Sequence, residues 1–161
     1  MKRTILRVLG LAALAALSLH VTAAENPKPA TGTLSFSRLY TGPDGVSHWA
    51  DETLQLAARG TQGIEAMMAS ASIGDVKGVF VARLKAGQTE DWHIAPRRQF
   101  MFCLRGLVEV TAADGQKRRL KPGEFALLED TSGKGHITHA AGSEDHVALA
   151  LPVPDNAFVK K

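Results

Sequence analysis

One cysteine, Cys103, stands in 161 residues, so no disulfide can form within the chain. Cohesion must come from packing, or from packing and assembly together. Long apolar runs are lacking as well. The most apolar stretch, Val8 to Leu19, holds twelve residues, short of the roughly 20 that cross a bilayer as a helix. A charge excess is also missing where it would matter. The formal net charge of +3 comes from 19 basic and 16 acidic residues. Lys2, Arg3 and Arg7 lie in the first 24 residues with no acidic residue among them, so the rest carries 16 of each sign. That balance gives no ground for a nucleic-acid partner. Helical periodicity is scarce, and alternation takes its place.

What the first segment does contain is the layout of a secretory signal peptide: three basic residues, the apolar run, then small residues at Val21-Thr22-Ala23-Ala24. Residues 1–24 are expected to be cleaved, leaving a secreted or periplasmic protein free of the membrane. No cysteine stands directly after the apolar run, which argues against a lipid anchor. Residues 25–32 (ENPKPATG) read as a flexible mature N-terminus. About 137 residues remain after cleavage, enough for one domain.

Thr33 to Tyr40, Ser47 to Leu56 and Gly78 to Leu84 read as strands, and Gln99 to Ala112 is nearly continuous strand material with Gly106 inside it. Ala113-Asp114-Gly115 predicts a hairpin turn leading to Gln116–Leu120. Lys121-Pro122-Gly123 is a further turn before Phe125 to Leu128. His136 to Ala140 and His146 to Leu151 are expected to close a last hairpin around Ala141 to Glu144. Gly60 and Gly63 leave Ala57 to Ala71 undecided. Many short strands with regular turns mean an all-β sandwich or barrel. Along the central strand, Gln99, Met101 and Cys103 share one face and Phe100, Phe102 and Leu104 the other. A strand apolar on both faces must be covered on both. A partner subunit doing so gives a homodimer; the N-terminal strands doing so is the alternative.

Gly87, five residues, His93, Ile94, Ala95, three residues, Gln99, six residues and Gly106 follow one another. This stretch resembles the first motif of the cupin family, which reads Gly, five residues, His-x-His, three or four residues, Glu, six residues, Gly. Lys121-Pro122-Gly123 falls where cupins carry a Pro-Gly turn, and Gly133-Lys134-Gly135-His136 resembles the end of their second motif, without its Pro. The resemblance implies a single cupin barrel over residues 33–153, two packed antiparallel sheets wound as a double-stranded β-helix, with residues 154–161 as a tail. It departs at the site, where Ala95 replaces the second His and Gln99 the Glu. The ligand set it leaves is His93, Gln99 and His136, with His48 as a candidate fourth. The implied cofactor is a divalent transition metal (Fe, Zn, Mn, Ni or Cu) and no organic group. Imidazole suits several of these ions, whereas an amide oxygen is a neutral, weaker ligand.

Trp92 and Arg97 are candidates to contact a substrate. Trp92 adjoins His93, and Arg97 has the parity of Gln99, from which a guanidinium could hold a carboxylate. Edge packing and a solvated loop are their plainer readings. Asp130 either orients a metal-bound His or caps its turn, and the turn is preferred. The expected last hairpin turns Val147, Leu149, Leu151 and His136 inward and leaves His139 and His146 outside. Cys103, inside a strand, reads as structural. Three functions stay open: a metal-dependent oxygenase, isomerase or lyase acting on a small molecule, a metal-free cupin that binds a small ligand, and a structural or interaction domain in which the remnant motif has no role. The residues do not decide whether the protein is an enzyme.

Overall fold

The computed structural model describes residues 31–155, so the expected signal peptide, most of the expected mature N-terminal segment and residues 156–161 lie outside the described residues. In chain order the elements are β1 (Gly32–Thr41), β2 (Ser47–Ala58), α1 (Gly63–Met67), β3 (Ala69–Ser70), β4 (Phe80–Leu84), β5 (Thr89–His93), β6 (Gln99–Arg105), β7 (Val108–Ala112), β8 (Lys117–Leu120), β9 (Phe125–Glu129), β10 (His136–Ala140) and β11 (His146–Pro152). None of the described helices is long and apolar enough to cross a membrane. The undecided stretch holds only the one-turn α1 and the two-residue β3. β5 is a strand that alternation in the sequence did not reveal.

The strands form two sheets, one ordered β3-β2-β1-β9-β6-β11-β4 and the other β5-β10-β7-β8. All pairings are antiparallel except β1 with β9, which run parallel. From β4 onward the chain passes back and forth between the sheets, the β7–β8 hairpin excepted. This is the expected double-stranded β-helix, with β1 and β2 added beyond β9. One crossing is made at Gly106, whose φ is +72°. A Cβ there would stand 2.6 Å from the Asp145 carbonyl oxygen. The apparent continuous strand is therefore two strands in different sheets, and only glycine fits the corner between them.

The expected hairpin between β10 and β11 does not form. β10 pairs with β5 and β7, while β11 pairs with β4 and β6. The parity of β11 is also the reverse of that expected. His146, Ala148 and Ala150 are buried and Val147, Leu149 and Leu151 only partly so. Bulk misled the sequence reading, because the small alanines are the ones that face the other sheet.

Two cores result. Between the sheets, Leu39, Trp49, Cys103, Val108, Val110 and Leu128 pack with several alanines. On the outer face of the larger sheet, Phe36, Phe100, Phe125, Leu127 and Val153 form a second cluster, flanked by Leu54, Ile73, Phe102 and Leu151. The Phe102 and Phe125 rings stack at 4.7 Å between centroids, and Phe36 meets Phe100 edge-on at 5.7 Å. Phe100 and Phe102 are thus covered by their own chain, through β1, β2 and the segment around Ile73. Their burial calls for no partner subunit. Phe100 is fully buried, and truncating such a ring typically costs about 3–5 kcal/mol. Phe100→Ala is expected to lower unfolding stability by that amount in urea titration, with near-native circular dichroism before the transition.

Candidate functional site

The site begins with an irregular pairing. His136 lies opposite His93 and Thr138 opposite Glu90, so one residue of β10, Ile137, faces two of β5, Asp91 and Trp92. A bulge of this kind shifts side-chain parity by one. Glu90 and His93, three apart in sequence, consequently share the inner face with His136 and Thr138. All four line a cavity of about 360 Å³ between the sheets, together with Gln99, Met101 and His146. The structure therefore brings His93, Gln99 and His136 to one space.

The two imidazoles are held by similar means. His136 Nδ1 lies 2.5 Å from Asp130 Oδ2, with His136 3% and Asp130 0% exposed. His93 Nδ1 donates to the Asp91 carbonyl oxygen at 2.7 Å. With an acceptor on each Nδ1, the neutral rings carry their proton there and leave Nε2 as a lone pair. The ring centroids are 4.3 Å apart. Asp130 thus orients His136 instead of merely capping its turn. Its second oxygen, Oδ1, is buried with no hydrogen-bond partner among the described residues.

The loop before β10 is pinned so that this geometry persists. Fully buried Ser47 donates from Oγ to the Gly135 carbonyl oxygen at 2.5 Å and accepts from the Ala113 N–H at 2.7 Å. Gly135 has φ +75°, and a Cβ on it would stand 2.0 Å from the His93 carbonyl oxygen. Glycine is the residue that lets the His136 loop close onto the His93 strand. The Ala95 N–H donates to the Asp130 carbonyl oxygen at 3.1 Å, tying the segment between β5 and β6 to the same loop.

His146 was expected on the outer surface and instead lines the cavity, for the parity reason given above. Its Nδ1 lies 3.7 Å from Cys103 Sγ. Burial pushes the His146 ring below the usual histidine range, and burial likewise pushes the Cys103 thiol up. Both are therefore neutral near neutral pH, and the thiol is poorly nucleophilic. Glu90 and His146 are the cavity residues that sequence reasoning missed. A bulge leaves no mark in an alternating pattern. The Ala148 and Ala150 spacing was the one available sign for His146.

Three candidates lie elsewhere, none of them among the residues lining the cavity. His48 has Nδ1 3.0 Å from Asp114 Oδ2 and Nε2 3.2 Å from Asp44 Oδ2. These contacts clip the β1–β2 turn to the β7–β8 hairpin. Trp92 stacks under the Lys134 ammonium, 3.9 Å from its ring centroid. Arg97 lies over the Phe80 ring at 5.2 Å, because the segment before Gln99 is not strand and its parity does not carry over. Arg98 is the buried one, bonded to Glu129 and to the Pro154 carbonyl oxygen.

Residues 80–152 match the family model of the cupin domain. That stretch is a cupin domain. Several solved cupin structures are similar to it. A cupin 2 conserved barrel domain protein from Salinispora arenicola is 17% identical, over 48% of this chain and 62% of that one, with a TM-score of 0.40. A double-stranded β-helix protein from Klebsiella pneumoniae is 24% identical over 52% and 74%, with a TM-score of 0.40. The DMSP lyase DddQ from Ruegeria pomeroyi is 27% identical over 50% and 40%, with a TM-score of 0.41. The chain thus spans less than two thirds of the Salinispora and Ruegeria proteins. No curated protein matches it.

Cupins are a family of varied chemistry, so the donor set must be judged on its own. Among the described residues no three His, Cys, Asp or Glu side chains are gathered to hold a metal ion. Two imidazoles with committed Nδ1 atoms and free Nε2 lone pairs fit a borderline transition metal; the amide of Gln99 is the third donor facing the same space. Asp130→Asn keeps the shape but removes the charged acceptor. It should cost roughly 1.5–3 kcal/mol in denaturant unfolding and change the His136 tautomer ratio read by ¹⁵N NMR. At the separate His48 cluster, the hydrogen bonds that the imidazole donates to Asp114 and then to Asp44 raise it above the usual histidine value. A raised folded value adds stability that is complete below the unfolded pKa of about 6.5 and disappears as pH rises through the folded value. The NMR titration midpoint of His48 is expected above 6.5, and Asp114→Asn should bring it down.

Proposed function

We propose that the cavity holds a divalent transition metal through Nε2 of His93 and His136, assisted by the Gln99 amide oxygen, and presents it to a small molecule. The observation that carries this reading is the shared treatment of the two rings. Each gives its Nδ1–H to a fixed acceptor, which leaves Nε2 uncommitted, and both rings line the same space. Metal-binding histidines are commonly held in this way. Such a metal, when bound, acts as a Lewis acid toward a substrate oxygen.

The chain's own residues supply the rest. Asp130 fixes the orientation of the His136 ring and holds its proton on Nδ1. Ala82 and Ala95, small where they line the cavity, leave room for a ligand beside the donors. Thr138 and His146 offer further polar contacts at the wall. Oxygenase, isomerase and lyase chemistries are all compatible with this equipment, because one fold hosts many reactions. Action outside the cytoplasm, in a secreted or periplasmic setting, is part of the proposal and follows from the first 24 residues.

A second reading has one observation in its favour. With Ala95 and Gln99 in the motif, the donors nearest the proposed ion are uncharged, which suits a metal-free pocket for a small polar ligand. Metal analysis of the mature protein, purified without chelator or tag-derived metal, separates the two. Near-stoichiometric metal in the wild type, reduced at least about tenfold in His93→Ala and His136→Ala, is the expected result. A protein that arrives without metal and takes up none on titration leaves the metal-free reading.

A further inference from the structure

We infer that Glu90 is a fourth protein ligand for the cation, supplying the negative charge that His93, His136 and Gln99 lack. The inference rests on the metal reading above and deepens it. A divalent ion held by two neutral imidazoles and an amide keeps its full charge in a partly enclosed space, which is unfavourable where water is scarce. The motif position that carries a carboxylate in metal-bearing cupins is Gln99 here. Glu90 is the one carboxylate among the residues lining the cavity.

Two observations point to it independently. The first is the bulge in β5. A regular strand puts Glu90 and His93 on opposite faces, whereas the register shift at Ile137 brings both to the inner face. The second is an unresolved contact between acceptors. Glu90 Oε2 lies 3.7 Å from His93 Nε2. Since Nδ1 of that ring already donates to the Asp91 carbonyl, the neutral ring directs a lone pair at a carboxylate oxygen. Two acceptors facing one another call for a positive species between them, either a second proton on the ring or a metal ion.

The Glu90 side chain is 59% exposed at the cavity mouth, and among the described residues its ion-pair partner is His93. It is therefore free to turn inward by side-chain rotation. The conformation described does not by itself gather three such groups, so the ion would draw the carboxylate in as it binds. It stands in the five-residue spacer between Gly87 and His93, not at the motif position where metal-bearing cupins carry their carboxylate.

Glu90→Gln keeps size and removes the charge, and its exposure makes a wild-type melting curve the expected check on folding. Co²⁺ titration followed by calorimetry and by visible absorption is the test. Affinity should fall at least about tenfold in Glu90→Gln, with a changed ligand-field band, and recover in part in Glu90→Asp. His48→Ala, outside the cavity, should bind as wild type does. If Glu90→Gln retains wild-type affinity and spectrum while His93→Ala loses Co²⁺, Glu90 only pairs with a protonated ring. The inference then falls and the metal reading stands. If the wild type binds no Co²⁺, both fall.

Discussion

Asp130 and His136 meet at 2.5 Å in a place where neither is open to solvent. The rest of the site depends on that contact. A buried carboxylate without a partner is costly, and breaking such a pair is worse than never having made it. The pair therefore dictates how β9 hands over to β10. The five residues between Asp130 and His136 must bring the ring back to the carboxylate, and they do so under Ser47 and against His93. Glu129, one residue earlier, points the other way and binds Arg38 and Arg98. Two adjacent acids thus clamp the strand end from both faces, one inside the barrel and one outside.

The distribution of side-chain size explains why a cavity exists at all. In many β-sandwiches the bulk lies between the sheets. Here the largest aromatic cluster, Phe36, Phe100, Phe102 and Phe125, sits on the outer face of the larger sheet, across β1, β6 and β9. The inner face toward β4 and β11 is lined by Ala82, Ala95, Ala148 and Ala150. Outer packing supplies cohesion there, so the inner face can remain roomy and polar. This arrangement also frees Phe100 and Phe102 from the need for a partner subunit.

Local chemistry written in short stretches of sequence was readable. Turn residues, the Asp-Gly hairpin at Asp114 and Gly115, and the spacing from Gly87 to Gly106 place most strands and the barrel class. His93, Gln99 and His136 follow from that spacing and do line one cavity. What was not readable depends on register and on which sheet a strand joins. The last two strands look like a hairpin, yet the chain changes sheets between them, and that single difference sends His146 inward. Alternation cannot reveal a bulge, so Glu90 was invisible beside Trp92. Asp130 had a local explanation, the turn, that concealed its distant one.

Electrostatics link these features. Arg83 lines the cavity, but its guanidinium is occupied by Asp145, which also accepts from the Ala86 N–H at 3.0 Å. These bonds hold the Asp145 carboxyl below the usual range, with the Ala86 hydrogen bond as the largest cause, so it remains charged and keeps Arg83 engaged. No free guanidinium therefore opposes a cation at the inner donors. Behind His136, the Asp130 carboxylate holds the ring proton on Nδ1 and leaves Nε2 as the lone pair. A site that has exchanged one His for Ala and a Glu for Gln is in this way less neutral than its motif suggests. The charge has moved, behind one ring and beside the other.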